Sequence, residues 1–234
     1  MFIIPSKFKS DALINRCISS IRNFHEEPIV VVDNGSDNQE YLERIQKNYP
    51  NIFIERNEVS QYEFGALVTA FEKYEFDNYF LMHDSMFLNH NVSHIKNVDL
   101  LSIRYFNSWN GVIGANIVLQ NGNVSYRYGF DNHTQMSIAH NWVKDTINHP
   151  IPYVFEGVFG SSFCCKKEIL TRMKNDKVFN CIPKNKLESQ AMERFLGIYF
   201  KIYGLNHSQF SLMGEHHSNP YVTKYITKEI VSRQ

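Results

Sequence analysis

The amino-acid sequence predicts an α/β protein, a mostly parallel, doubly wound sheet with helices on both faces, built as a single domain. Three observations carry that expectation. Strand-like and helix-like segments alternate regularly from Phe2 to Ser85. Ile29–Val32 is an uninterrupted β-branched run, the pattern of a strand buried on both faces. That run passes directly into Asp33-Asn34-Gly35-Ser36, which cannot continue a strand and which puts a carboxylate at the edge where open α/β sheets take their ligands. An ordinary turn leading into the cap of the next helix would show the same four residues, so the motif alone leaves both readings open.

The elements follow in order. Phe2–Ile4 reads as a short strand, and Leu13, Ile14, Cys17, Ile18 and Ile21 recur at helical spacing before Pro28 resets the chain for the Ile29 strand. Ser36 or Asp37 is the expected cap of a second helix whose inward face is Tyr41, Leu42 and Ile45. After the Tyr49-Pro50 break, Asn51–Ile54 supplies a third strand. Phe64–Tyr74 reads as a helix with Leu67, Val68 and Phe71 inward, and Tyr79–Met82 as a fourth buried strand ending in His83-Asp84-Ser85. Such alternation makes parallel pairing with helical crossovers the economical topology.

Length and composition agree. A chain of 234 residues that is 43% hydrophobic can bury one substantial core, and no Pro/Gly/Ser-rich linker, repeat or low-complexity tract divides it. The formal net charge is zero, which gives no general electrostatic reason to expect nucleic acid or an anionic membrane as partner. No apolar run approaches the roughly twenty residues of a transmembrane segment, and Met1–Pro5 lacks the features of a signal peptide, so a cytoplasmic location is expected. Cys17, Cys164, Cys165 and Cys181 show no C-x-x-C spacing and read as reduced and mostly buried. Asn34-Gly35-Ser36 is also a glycosylation sequon, and intracellular residence removes the conflict between a glycan and a pocket there. Several enzyme classes lack their motifs here: no glycine-rich dinucleotide fingerprint of an oxidoreductase follows the first strand, no P-loop of a nucleotide triphosphatase is present, and Gly160-Ser161-Ser162 does not supply the G-x-S-x-G of a serine hydrolase.

Taken in sequence, the V-V-D-N-G-S turn, Asn57, the Phe64-Gly65-Ala66 helix and Y-F-L-M-H-D-S resemble the nucleotide-sugar half of GT-A fold glycosyltransferases, in the small single-domain form of bacterial and viral type. The likeness continues past the middle. Gly157–Leu170 is similar to that family's glycine-then-basic acceptor segment, Met192-Glu193-Arg194 opens a stretch to Gly204 that looks like the helix headed by its catalytic acid, and Gly214-Glu215-His216-His217 resembles its late metal-binding histidine. The resemblance implies one GT-A catalytic domain over residues 1–234, with about 1–90 as the nucleotide-binding half and about 91–234 as the acceptor half. It implies transfer of a hexose from a nucleotide diphosphate sugar, UDP-linked, to a hydroxyl of a glycan or other acceptor, metal-assisted and with inversion. A GT-A-like nucleotide- or carbohydrate-binding module without catalysis is the alternative.

The chemistry explains why these residue types are wanted. A departing diphosphate needs its charge neutralised, commonly by Mn²⁺ or Mg²⁺ on hard oxygen and imidazole ligands. The resemblance points to Asp84 and His216 as ligands, with His217 close behind and His83 beside the nucleotide; the family's usual Asp-x-Asp is reduced here to Asp84 between His83 and Ser85. Glu193 is the expected base, with Met192 replacing the acid that ordinarily precedes it and with Glu188 and Glu156 as other candidates. Asp33 would accept from the base or a ribose hydroxyl, Gly65 would let its helix approach the cleft, and Tyr62 would stack on the base. Trp109, in the ring- and amide-rich stretch Tyr105–Asn110, and Glu156 are the expected sugar contacts.

Overall fold

The computed structural model describes residues 1–7, 10–109, 117–120, 123–126, 133–152, 154–213 and 226–228. Its centre is a six-stranded sheet. The strands β1 (Phe2–Ser6), β2 (Ile29–Asn34), β3 (Ile52–Asn57) and β4 (Asn78–Leu81) alternate with helices α1 (Asp11–Arg22), α2 (Glu40–Asn48) and α3 (Tyr62–Lys73). These four strands pair in parallel, with β1 between β2 and β4 and β3 outside β2. Past β4 come β5 (Met86–Leu88), β6 (Leu100–Ser102), β7 (Tyr105–Trp109), β8 (Ile117–Gln120) and β9 (Asn123–Tyr126). They are followed by α4 (His133–Thr146), β10 (Val154–Val158), β11 (Phe163–Lys166), α5 (Lys167–Asn175), α6 (Lys186–Ile202) and β12 (Ile226–Lys228). The last two strands of the sheet run against the parallel set: β11 lies antiparallel between β4 and β6, giving the order β3-β2-β1-β4-β11-β6.

The β-branched run in β2 explains the two cores. Ile29 and Val31 point to one face with Phe2 and Ile4, where α1 and α2 deliver Leu13, Ile18, Tyr41 and Ile45. Val30 and Val32 point to the other face with Ile3, covered by Phe64 and Leu67 of α3 and by Phe195 and Tyr199 of α6. Period-two alternation of side chains in a strand with helices on both sides requires apolar residues at every position. Among the described residues no helix is long and apolar enough to cross a membrane.

Several boundaries differ from the sequence reading. Both β1 and β2 run further than expected, because Ser6 pairs with Asp33 and Asn34 with Asn57 in register. The second helix starts at Glu40 with Gln39 before it; the Gln39 side chain makes no capping bond, and Asn38 Oδ1 accepts from Glu40 N at 3.0 Å. Ser36 is not that cap, because its hydroxyl and its N–H both donate to the Asp33 carboxylate. The third helix begins at Tyr62, two residues ahead of Phe64.

Candidate active site

The parallel strands β1, β2 and β4 end on one edge of the sheet, and Asp33, His83 and Asp84 lie at or just beyond those strand ends. Asp33 is fully buried. Its carboxylate accepts from the Ser36 N–H and hydroxyl and from the Tyr41 hydroxyl, and Arg56 Nε stands 3.5 Å away. This saturation fastens the turn after β2, where Gly35 takes a φ of +74° that suits glycine. Asn34 is equally engaged: its amide donates to Tyr62 O and its oxygen accepts from Asn57 Nδ2. The bond from Asn34 to Tyr62 ties the end of β2 to the head of α3, where Tyr62 holds a φ of 54°. Left-handed backbone at a tyrosine is strained, and such strain persists where the surroundings enforce it.

Gly65 is buried in the first turns of α3, and an added Cβ there would meet the Gln61 side chain and Ile182. Its bareness serves the packing of the Ile182 segment against α3. Phe64 is core, edge-on to Phe179.

The end of β4 carries His83 and Asp84. His83 Nε2 lies 2.9 Å from Gly160 O, and its Nδ1 lies 3.6 Å from Glu63 Oε1. Both ring nitrogens are therefore directed at protein groups. Asp84 is half-buried after β4. Among the described residues no group of three or more His, Cys, Asp or Glu could hold a metal ion. Were a Mg²⁺ or Mn²⁺ ion held at this strand end, Asp84 would offer it a carboxylate oxygen and further ligands would have to come from bound phosphate, water or the late histidines. His216 and His217 lie outside the described residues.

Glu193 is placed by the helix that carries it. Asn185 caps α6 by accepting from Glu188 N, while the Glu188 carboxylate accepts from Lys184 N and Asn185 Nδ2, a reciprocal cap that gives Glu188 its role at the helix start. Met192, Phe195, Leu196 and Tyr199 form the buried stripe. One turn beyond Glu193, Gly197 rests on the backbone of β10, where a Cβ would stand 2.2 Å from Glu156 O and 2.8 Å from Gly157 Cα. That close approach brings Glu193 to the turn immediately after β10, and its Oε1 accepts from Gly160 N at 2.9 Å. Burial pushes the Glu193 carboxyl up to about 7, with Arg194, the Gly160 N–H and Lys186 opposing the rise and Glu63 adding to it. Arg194 NH1 is 3.7 Å from Glu193 Oε2, and its guanidinium also covers the Phe106 ring.

Glu156 lies on β10 opposite Asn107, and its carbonyl is held by His207 Nε2 at 2.8 Å. Trp109 pairs with Val154 in the same two-stranded ladder, and its side chain lies outside the described residues. The structure thus brings His83, Glu193 and the Gly160 turn together, with Asp84 next in the chain, while Asp33 is buried at the end of β2 among Ser36, Tyr41 and Arg56. Sequence reasoning missed Glu63 and the Gly160 N–H. The bare glycine among Gly157–Leu170 was the only available signal for the latter, and nothing in the sequence pairs residue 63 with residue 83.

Comparison with known proteins bears on this edge of the sheet. Residues 1–85, which run from β1 through the His83-Asp84-Ser85 turn, match the model of Glycosyl transferase family 2. No curated protein sequence matches the chain. Among solved structures, the crystal structure of Staphylococcus aureus TarS 1–349 is similar at 15% identity and a TM-score of 0.44, covering 84% of this chain and 55% of its own. The mannosyltransferase PcManGT from Pyrobaculum calidifontis, in complex with GDP-Man and Mn²⁺, is similar at 16% identity and a TM-score of 0.38, covering 43% of this chain and 34% of its own. The chain therefore spans little more than half the length of the first of these structures and about a third of the second.

Proposed function

We propose that this protein is a glycosyltransferase that moves a hexose from a nucleotide diphosphate sugar, UDP-linked, to a hydroxyl of a glycan or other acceptor with inversion at the sugar carbon. The observation that carries this reading is Glu193: a buried carboxylate beside the carboxyl edge of the sheet, fastened by a backbone N–H, with a proton affinity near neutrality. A general base works best when its pKa lies near the working pH. The family match over residues 1–85 supports the nucleotide-sugar part.

In this mechanism the acceptor hydroxyl approaches Glu193, whose Oε1 is already occupied by Gly160 N, so that Oε2 takes the proton. The new bond from the acceptor oxygen to the sugar carbon forms as the bond to the diphosphate oxygen breaks and its electron pair leaves with the nucleotide. A divalent cation bound through Asp84 and His216 would neutralise the diphosphate charge. With Asp33 saturated by the turn, its part in nucleotide binding is to fix the β2 edge against which base and ribose lie, with Tyr62 beside them. The buried, free cysteines suit a reducing cytoplasm.

Glu193→Gln tests the reading. Removing a general base lowers turnover by about 10²–10⁴-fold and leaves donor affinity nearly intact, because the carboxylate faces the acceptor. Glu188→Gln, which alters only the cap of α6, should leave turnover close to the parent. Parental activity in Glu193→Gln would overturn the base assignment.

A further inference from the structure

We propose that His83 is a positioning residue for Glu193, acting through Gly160; this rests on Glu193 being the base. Gly160 is gripped from both sides. Its N–H donates to Glu193 Oε1 at 2.9 Å, and its carbonyl faces His83 Nε2 at 2.9 Å. A carbonyl only accepts, so Nε2 carries the proton and donates. Ser162 Oγ donates to the same oxygen at 3.2 Å, a longer and weaker contact.

The other ring nitrogen, Nδ1, stands 3.6 Å from Glu63 Oε1, an ion-pair approach when the ring is doubly protonated, and the other oxygen of Glu63 accepts from Ser189 Oγ of α6 at 3.4 Å. A chain of contacts results, running from the end of β4 through the Gly160 turn to α6 and across to α3, whose Glu63 faces His83 again. The turn needs such support, because Gly160 and Ser161 take successive positive φ values of 63° and 51°. Ser161 is also buried, so water cannot take over the task of holding it. The fit leaves no slack: a Cβ on residue 160 would stand 2.6 Å from His83 Nε2. The groups that bear on the Glu193 charge are Arg194 and Lys186 from its own helix, Glu63 from α3 and the Gly160 N–H from the turn. Of these, the Gly160 N–H and Glu63 both face His83, and exchange of the Gly160 amide reports the first separately from the second.

The test reads the Glu193 carboxyl directly and needs no turnover. Carbon-13 NMR of glutamate-labelled protein, assigned with Glu193→Gln, follows its titration in the parent, His83→Gln and His83→Leu, alongside hydrogen exchange of the Gly160 amide. His83→Leu removes the donor, so the Glu193 midpoint should rise by about half a unit to one unit and the Gly160 amide should exchange faster. His83→Gln, which offers an amide donor, should restore both toward the parent. Parental midpoint and exchange in a folded His83→Leu would overturn the proposal. If His83→Leu does not fold, His83→Asn, whose amide falls short of the carbonyl, is held to the same criterion. A protein that shows these shifts but no sugar transfer would overturn the glycosyltransferase reading and leave only the coupling of His83 to the Glu193 carboxyl standing.

Discussion

Replacing Glu193 by glutamine should stabilise the protein in a pH-dependent way, and the size follows from the site. In the folded chain this carboxyl holds its proton up to about pH 7, whereas the ordinary value is 4.5. A group whose folded value is raised makes folding bind a proton between the two values, so stability falls as pH rises through that window and stays lower above it. At 1.36 kcal/mol per pH unit the full penalty is about 3 kcal/mol, and the part that develops between pH 5 and pH 8 is about 2–3 kcal/mol. Glutamine keeps the shape and an oxygen for Gly160 N but does not titrate. Urea unfolding of parent and variant at pH 5 and pH 8 measures the difference, in which shared titrations such as that of buried His207 cancel. The variant's advantage should grow by that amount toward pH 8. Parallel stability profiles would refute the account of Glu193 as a buried carboxylate kept near neutrality for function.

Other expectations follow from the same geometry. Asp33→Ala removes a buried acceptor of the Ser36 N–H and of the Ser36 and Tyr41 hydroxyls, so unfolding free energy should fall by about 2–4 kcal/mol; an unchanged melting curve with weakened nucleotide binding would instead put the carboxylate on the ligand. Gly197→Ala drives a methyl into the β10 backbone and should cost about 1–3 kcal/mol while loosening the contact between Glu193 and Gly160, read by calorimetry and by exchange of the Gly160 amide. Burial pushes the Cys164 and Cys181 thiols up to about 12 and those of Cys17 and Cys165 well above their ordinary value, so a thiol reagent at pH 8 should react only after denaturant is added. Excess chelator should suppress sugar transfer and Mn²⁺ should restore it; full activity without metal would assign the diphosphate to protein groups.

The parallel half of the fold was legible because its signals are local. Ile29–Val32 announces a strand covered on both faces, and the helical spacing of Leu13 to Ile21 announces the helix that covers one of them. The polar ends of the strands were not legible, since Asp33 and Asn34 stay in β2 only because neighbours distant in sequence satisfy them: Tyr41 and Arg56 for the first, Asn57 for the second. The same cause misplaced the cap of α2, whose candidate Ser36 is taken by Asp33. Insertion of β11 between β4 and β6 joins residues more than sixty positions apart, and no periodicity encodes it. At the site, Glu193 was singled out by the resemblance, its place flanking the Met192–Tyr199 stripe being only compatible with a cleft edge, while the reciprocal cap of Asn185 and Glu188 follows a spacing visible in the sequence. Glu63 was invisible, because its partner His83 is set by the crossover from α3 into β4 and by nothing nearer.

The most direct measurement of the central claim is transfer itself. The protein, incubated with Mn²⁺, a panel of nucleotide diphosphate sugars and a broad set of hydroxyl acceptors, should release free nucleotide from one donor, a UDP-hexose, in step with a glycosylated product. Proton NMR of that product should show the anomeric configuration inverted relative to the donor. A retained configuration would contradict the role given to Glu193, and the absence of transfer from every donor to every acceptor would put the nucleotide- or carbohydrate-binding module in the enzyme's place.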